Sequence, residues 1–278
     1  MQVLLMNKES ILFIVEGESA EPIVLKKICT CLNLSNKQIY SYKTNIFRLY
    51  QELKTEYGDI EDVNVLSFIQ EIEKKKGNVS APILALKTYQ ISEIYLLFDL
   101  DAHVTSKTDE NLKKIEQLIE EFDNETGENG KLIISYPMLE SIVLYDNITD
   151  GEICFYKFKI DTNRNSKGQH FKAVCNTHKV AHHLRTIKTN EDIKRIMTYH
   201  LLLCKHIYGL EQIGYMEYKN LVSTKETFRL QKDDFLSFDR CYLFSGIAEF
   251  ILNYSRSESF PEICNDIQNR IEDLYLSN

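Results

Sequence analysis

The chain has 278 residues, 44% of them apolar and 27% charged, with a formal net charge of −8. These are ordinary values for a globular protein with one large core or two modest ones. No apolar run approaches the length of a membrane span, and the opening MQVLLMNKES is too short and too soon charged for a secretory signal. Membrane partners are therefore excluded at this level. The odd count of seven cysteines, scattered without paired spacing, points to reduced thiols and a cytoplasmic location.

The first strong element is ILFIVEGESAEP, residues 11–22. Five apolar residues, three of them β-branched, run into Glu16 and Gly17, the pattern of a buried parallel strand that delivers a carboxylate to the rim of a sheet. A helix is expected from Ser19 as N-cap, with Glu21 in its first turn, Pro22 tolerated there, and Ile23, Leu25, Ile28 and Leu32 on its buried face. Residues 38–46 alternate as a second strand, and residues 47–56 and 62–76 read as polar-faced helices broken at Gly58 and Asp59. Residues 82–90 carry no clear period. ISEIYLLFDLD, residues 91–101, is again an apolar run ending in acid, Asp99 and then Asp101. An acidic amphipathic helix is expected at 109–122, a turn-rich loop at 124–130, and a third strong strand at 131–137 running on to Glu140. Strands separated by helices predict an α/β fold with a mostly parallel sheet. Beyond about residue 150 the pattern becomes helical, at roughly 171–187, 190–208, 240–254 and 261–276. The expected organisation is an α/β catalytic domain over 1–150 and an all-helical region over 151–278 for substrate or partner binding.

Three apolar strands thus end in acid: Glu16, then Asp99 with Asp101, then Glu140. Parallel strands place their carboxyl ends on one edge of the sheet, and carboxylates gathered there repel one another unless a cation joins them. Oxygen-only donors of this kind suit Mg²⁺ or Mn²⁺. The charge is also uneven. Residues 154–189 hold eight Lys/Arg against the single acid Asp161, and residues 22–54 hold six against Glu52 alone. An acidic chain can therefore still carry a phosphate-binding face, with ordinary solvated faces as the competing explanation. Candidate backbone contacts are Lys172, Lys179, His183 and Arg185, while Lys107 and Lys131 are candidates to neutralise charge at phosphorus. Cys175, His178 and His182 share a helical face at zinc-compatible spacing, but no second ligand pair accompanies them, so mixed surface and core histidines are the default. No Walker A loop, HExxH or GxSxG occurs.

VEGES at 15–19, FDLD at 98–101 and SYPMLESIVL at 135–144 resemble the TOPRIM fold, and in particular the small TOPRIM nucleases related to the OLD and RloB-like families. The resemblance covers roughly residues 9–146. It implies a Rossmann-like sheet flanked by helices, with Glu16 as metal ligand or general base, Asp99 and Asp101 as metal ligands, and Glu140 as a further acid. Those families often place an acid four residues after the first glutamate. Ala20 stands there in this chain, with Glu21 or Glu18 as substitutes. The glycine common after DxD in topoisomerases and primases is replaced by His103 and Val104, which argues against those branches. The expected function is Mg²⁺-dependent hydrolysis of phosphodiester bonds in DNA or an RNA such as tRNA, as an effector of anti-phage defence beside a separate ATPase. A homo-oligomer is left open. The alternatives are a non-catalytic TOPRIM-like subunit that binds an ATPase or nucleic acid, and a phosphohydrolase acting on a small phosphorylated molecule.

Overall fold

The apolar runs become strands. In the computed structural model β1 (Ser10–Val15), β2 (Lys37–Ser41), β3 (Ile91–Asp99), β4 (Asp123–Asn124) and β5 (Gly130–Ser135) form one five-stranded sheet in the order β2-β1-β3-β5-β4. All neighbours are parallel except the short β4, which pairs antiparallel with β5. This is an α/β architecture compatible with a Rossmann-like fold. The described residues are 10–100, 109–145, 187–211, 213–238 and 240–254, with the short pieces 157–159, 171–173, 175 and 269. Asp101, Lys107, Lys179, Arg185, His178, His182 and His183 lie outside them.

Helices fill the crossovers: α1 (Ala20–Cys31), α2 (Ile46–Tyr57), α3 (Val65–Lys75) and α4 (Asp109–Glu121). The starts of α2 and α3 are fixed by Asn45 and Asn64, whose side chains accept from the amides of Arg48 and Ser67. At α1, Ser19 occupies the N-cap position but makes no side-chain cap bond. Residues 82–90 fold as two short 3₁₀ turns, Pro82–Ala85 and Thr88–Gln90. The third strand stops at Ser135, short of the expected 137. Pro137 has no amide to continue a ladder, and Glu140 therefore sits in the following 3₁₀ turn, Leu139–Leu144.

The C-terminal half contributes α5 (Asn190–Ile207), α6 (Tyr215–Leu221), α7 (Thr224–Phe238) and α8 (Gly246–Tyr254). It is not purely helical. β6 (Lys157–Lys159) pairs antiparallel with β7 (Arg240–Tyr242), so the helix expected at 240–254 begins only at Gly246. The sequence pattern missed α6 and α7. Apolar residues on both sides of residue 150 belong to one buried cluster. Phe13 and Tyr95 pair in register and share a sheet face, and Phe250 of α8 meets both ring edges at 5.0 Å. On the opposite face Phe98 meets Tyr42, which in turn meets Phe68 of α3. The sheet is therefore covered on both sides, as its continuous apolar strands require.

The outer edge of β5 is also closed. Leu132 O accepts from the Thr224 hydroxyl, the Gly246 amide donates to Ser135 Oγ, and Tyr136 exchanges both main-chain bonds with Phe244. Gly246 packs closely on β5, and a Cβ there would sit 3.1 Å from both Ile133 and Ser135. Among the described residues no helix is long and apolar enough to cross a membrane, and the five described cysteines are free.

Candidate active site

The strand order gives the site its location. From β1 the chain moves outward to β2, then returns past β1 to β3 and on to β5. The direction reverses between β1 and β3, and the carboxyl ends of those two strands form the crevice where open α/β sheets bind ligands. Glu16 follows directly on β1, and Asp99 is the last residue of β3.

The main chain of Glu16 is held from both sides. Its amide donates to Leu97 O at 3.3 Å, and its carbonyl accepts from the Lys43 amide at 2.9 Å. Its half-buried side chain turns towards β3, where Oε2 accepts from the Asp99 amide at 3.1 Å. That bond partly satisfies a carboxylate brought to the rim of an apolar strand. It also ties the two acid-bearing strand ends together.

Glu21, in the first turn of α1, lies over Gly17. A Cβ at Gly17 would come within 2.8 Å of the Glu21 carboxylate carbon, so the glycine is there to let that carboxylate approach the turn. Burial raises the pKa of Glu21, the charge of Glu140 adds to the rise, and its own amide, Lys172 and the Gly17 amide work against it. Of the two substitutes for Ala20, Glu21 joins the cluster. Glu18 is exposed and pairs with Lys43.

Lys172 completes the arrangement. Its ammonium lies 3.5 Å from Glu140. Burial disfavours its charge, but the carboxylates of Glu140, Asp99 and Glu21 outweigh that cost and hold its pKa above the ordinary lysine value. Next to it, burial and then Glu140 push the Cys175 thiol up to about 12. Cys175 is buried with its Sγ against the Glu140 carbonyl at 3.7 Å.

Three acids from separate stretches, Glu21, Asp99 and Glu140, therefore act on one lysine at the switch crevice, and Glu16 joins them through the Asp99 amide. Their donor chemistry suits a hard divalent cation. Among the described residues, however, no three His, Cys, Asp or Glu are arranged as a ready metal cage, and Asp101 lies outside the described residues. Lys131 is not brought to this edge. It pairs with Tyr95 while Asp99 pairs with Ser135, four residues along β5 and thus roughly 13 Å away at ~3.3 Å per residue. There it faces Glu125 at 3.6 Å. Most of the basic window over 154–189 lies outside the described residues.

A second polar cluster went unnoticed in the sequence. His200 Nδ1 lies 3.0 Å from the Tyr145 hydroxyl, which accepts from the Ser245 amide at 2.7 Å. Thr224 Oγ1 donates to buried Glu249 at 2.8 Å. Tyr136 Oη, Tyr218 Oη, His200 Nε2 and Glu249 Oε2 are buried and meet no hydrogen-bond partner among the described residues. These residues sit in helices or beside β5 at sequence distances no local pattern connects.

Comparison with protein-family models, with curated proteins and with solved structures finds no match for this chain.

Proposed function

We propose that this chain is a metal-dependent nuclease of the TOPRIM kind, acting on phosphodiester bonds in DNA or RNA. The observation that carries the reading is the placement of Glu16 and Asp99 on adjacent parallel strands at the switch crevice, with Glu21, Glu140 and Lys172 joined to them electrostatically. Glu16, Asp99 and Asp101 would hold Mg²⁺ or Mn²⁺, which supplies Lewis-acid polarisation of a phosphoryl oxygen. Glu16, anchored by the Asp99 amide, is positioned to orient or deprotonate an attacking water. The Lys172 ammonium is a fixed positive charge for the oxyanion that develops at phosphorus. Glu140 keeps that ammonium in place. Similarity to the OLD and RloB-like effectors extends the proposal to anti-phage defence beside a separately encoded ATPase.

A second reading is a non-catalytic TOPRIM-like subunit that binds an ATPase or nucleic acid. It is favoured by Ala20 standing where those families often place an acid and by the pairing of Glu140 with Lys172. The two readings separate in one experiment. Purified protein is offered plasmid DNA and total tRNA with Mg²⁺ or Mn²⁺, and Mn²⁺ affinity is measured by titration calorimetry. The nuclease reading expects cleavage, and a loss of at least a hundredfold in Glu16→Gln, Asp99→Asn and Lys172→Met, with Mn²⁺ affinity falling in the first two. No cleavage and no Mn²⁺ binding, with an unchanged biological effect in Glu16→Gln and Asp99→Asn, leaves the binding subunit.

A further inference from the structure

The two edges of the sheet differ. Beyond β5 stand the short β4 and bonds from Thr224, Phe244 and Gly246, whereas on the other side, among the described residues, the sheet ends at β2. Alongside β2 runs an open cavity of about 440 Å³, within the roughly 300–1,000 Å³ typical of ligand sites. Four successive residues, Gln38–Ser41, form one wall, and the far wall carries Pro82, Ile83 and Leu86.

The main chain of β2 carries donors and acceptors on the side away from β1 as well as on the side bonded to it. The Ile11 amide donates to Asn36 O and the Tyr42 amide donates to Val15 O. In a parallel ladder every second residue bonds to a given neighbour, so residues 36, 38, 40 and 42 face β1. Ile39 and Ser41, which both line the cavity, then turn their N–H and C=O groups away from β1. Tyr40 adds an aromatic ring, held by its hydroxyl at 2.6 Å from Glu73 Oε1. Glu73 is buried and also accepts from Asn78 at 2.6 Å and Lys76 at 3.4 Å, so its charge is matched locally. Lys76 lines one side of the groove, half exposed. Lys43 lines another part of it, and its amide bonds to the Glu16 carbonyl, which ties the Lys43 end of the groove to the first residue of the carboxylate edge. The Lys43–Glu18 pair is exposed on both sides, so little is lost in exchanging it for a phosphate.

We propose that this groove is a subsite for a nucleotide of a single-stranded nucleic acid leading away from the carboxylate edge. The base stacks on Tyr40 and takes the outward main-chain groups of Ile39 and Ser41, and the flanking phosphates meet Lys43 and Lys76. Cations along the backbone path and an aromatic ring for stacking are the parts that single-strand binding uses. Lysines at both ends of the edge, Lys37 and Lys43, oppose the other use of a bare strand, pairing with a peptide. The identity of the ligand rests on the nuclease reading of the adjacent edge.

The test is fluorescence-anisotropy titration of labelled oligothymidylate and oligouridylate in chelator, where no cleavage intervenes, across a salt series. Lys43→Ala and Lys76→Ala are each expected to weaken binding several-fold and to flatten the log Kd against log salt slope by about 0.7. Tyr40→Leu is expected to cost roughly 5- to 150-fold, and Tyr40→Phe, which keeps the ring, to restore binding. A preference between the two oligonucleotides distinguishes DNA from RNA. The subsite is overturned if the wild type binds neither oligonucleotide, if both lysine variants keep its affinity and slope, or if the groove captures an extended peptide that nucleic acid does not displace. Cleavage with Mn²⁺ alongside any of those results would leave the nuclease standing without this subsite. Groove-dependent binding without cleavage under any metal would leave the subsite standing without the nuclease.

Discussion

Glu249 offers a direct measurement of the buried polar cluster behind the sheet. Its carboxyl is fully enclosed, and burial raises its pKa from 4.5 to about 7, against the smaller opposing effects of Lys131 and the Thr224 hydroxyl. Between pH 4.5 and 7 the folded protein keeps a proton that the unfolded chain has released. Stability contributed by this group is therefore fully present below pH 4.5 and falls as pH rises to 7. At ~1.4 kcal/mol per unit the loss is about 3 kcal/mol. His200 works in the opposite sense: burial depresses its pKa from 6.5 to about 3, so its contribution is lost as pH falls below 6.5. From pH 4.5 to 6.5 the two slopes cancel in the wild type. Glu249→Gln removes one of them. Urea denaturation of wild type and variant at half-unit steps from pH 4.5 to 7.5 should show the wild type losing about 3 kcal/mol relative to the variant across that range, as His200 and all other groups drop out of the difference. Parallel stability curves over that window would refute a carboxyl held neutral by burial.

Two further outcomes follow from the packing and the site. Phe250→Ala removes a fully buried ring that meets Phe13 and Tyr95, and should cost about 3–5 kcal/mol in urea denaturation; a loss under 1 kcal/mol would mean that α8 is not seated on this sheet face. Gly17→Ala forces the Glu21 carboxylate away from the turn. Because a flexible side chain can yield, thermal stability should fall by no more than about 1 kcal/mol, while Mn²⁺ affinity and cleavage fall at least tenfold; unchanged affinity would remove Glu21 from the site.

The acids Glu16 and Asp99 were legible because a run of apolar residues ending in a carboxylate is a local signal, readable without knowing what pairs with what. Gly17 was legible only as the residue after Glu16 at the end of the run, and the approach of Glu21 to it was not. Lys131 shows where such reading fails. A lysine beside a strong strand looks well placed until the direction of that strand puts it at the opposite end from the acids. Lys172 was assigned to nucleic acid from a run of basic residues, and the fold gives it three carboxylates to answer first.

By itself the sequence determined the four parallel strands, the early helices and the acids at the strand ends, since burial periodicity and capping act over a few residues. Tertiary structure alone decided the order β2-β1-β3-β5, and with it that Glu16 and Asp99 stand side by side at a switch crevice. It also decided that the C-terminal helices share the core of the sheet and bond along β5, and that β2 is its terminal strand among the described residues. Those choices depend on pairings between segments a hundred residues apart. Their free energy comes from surfaces buried only once the whole chain has assembled.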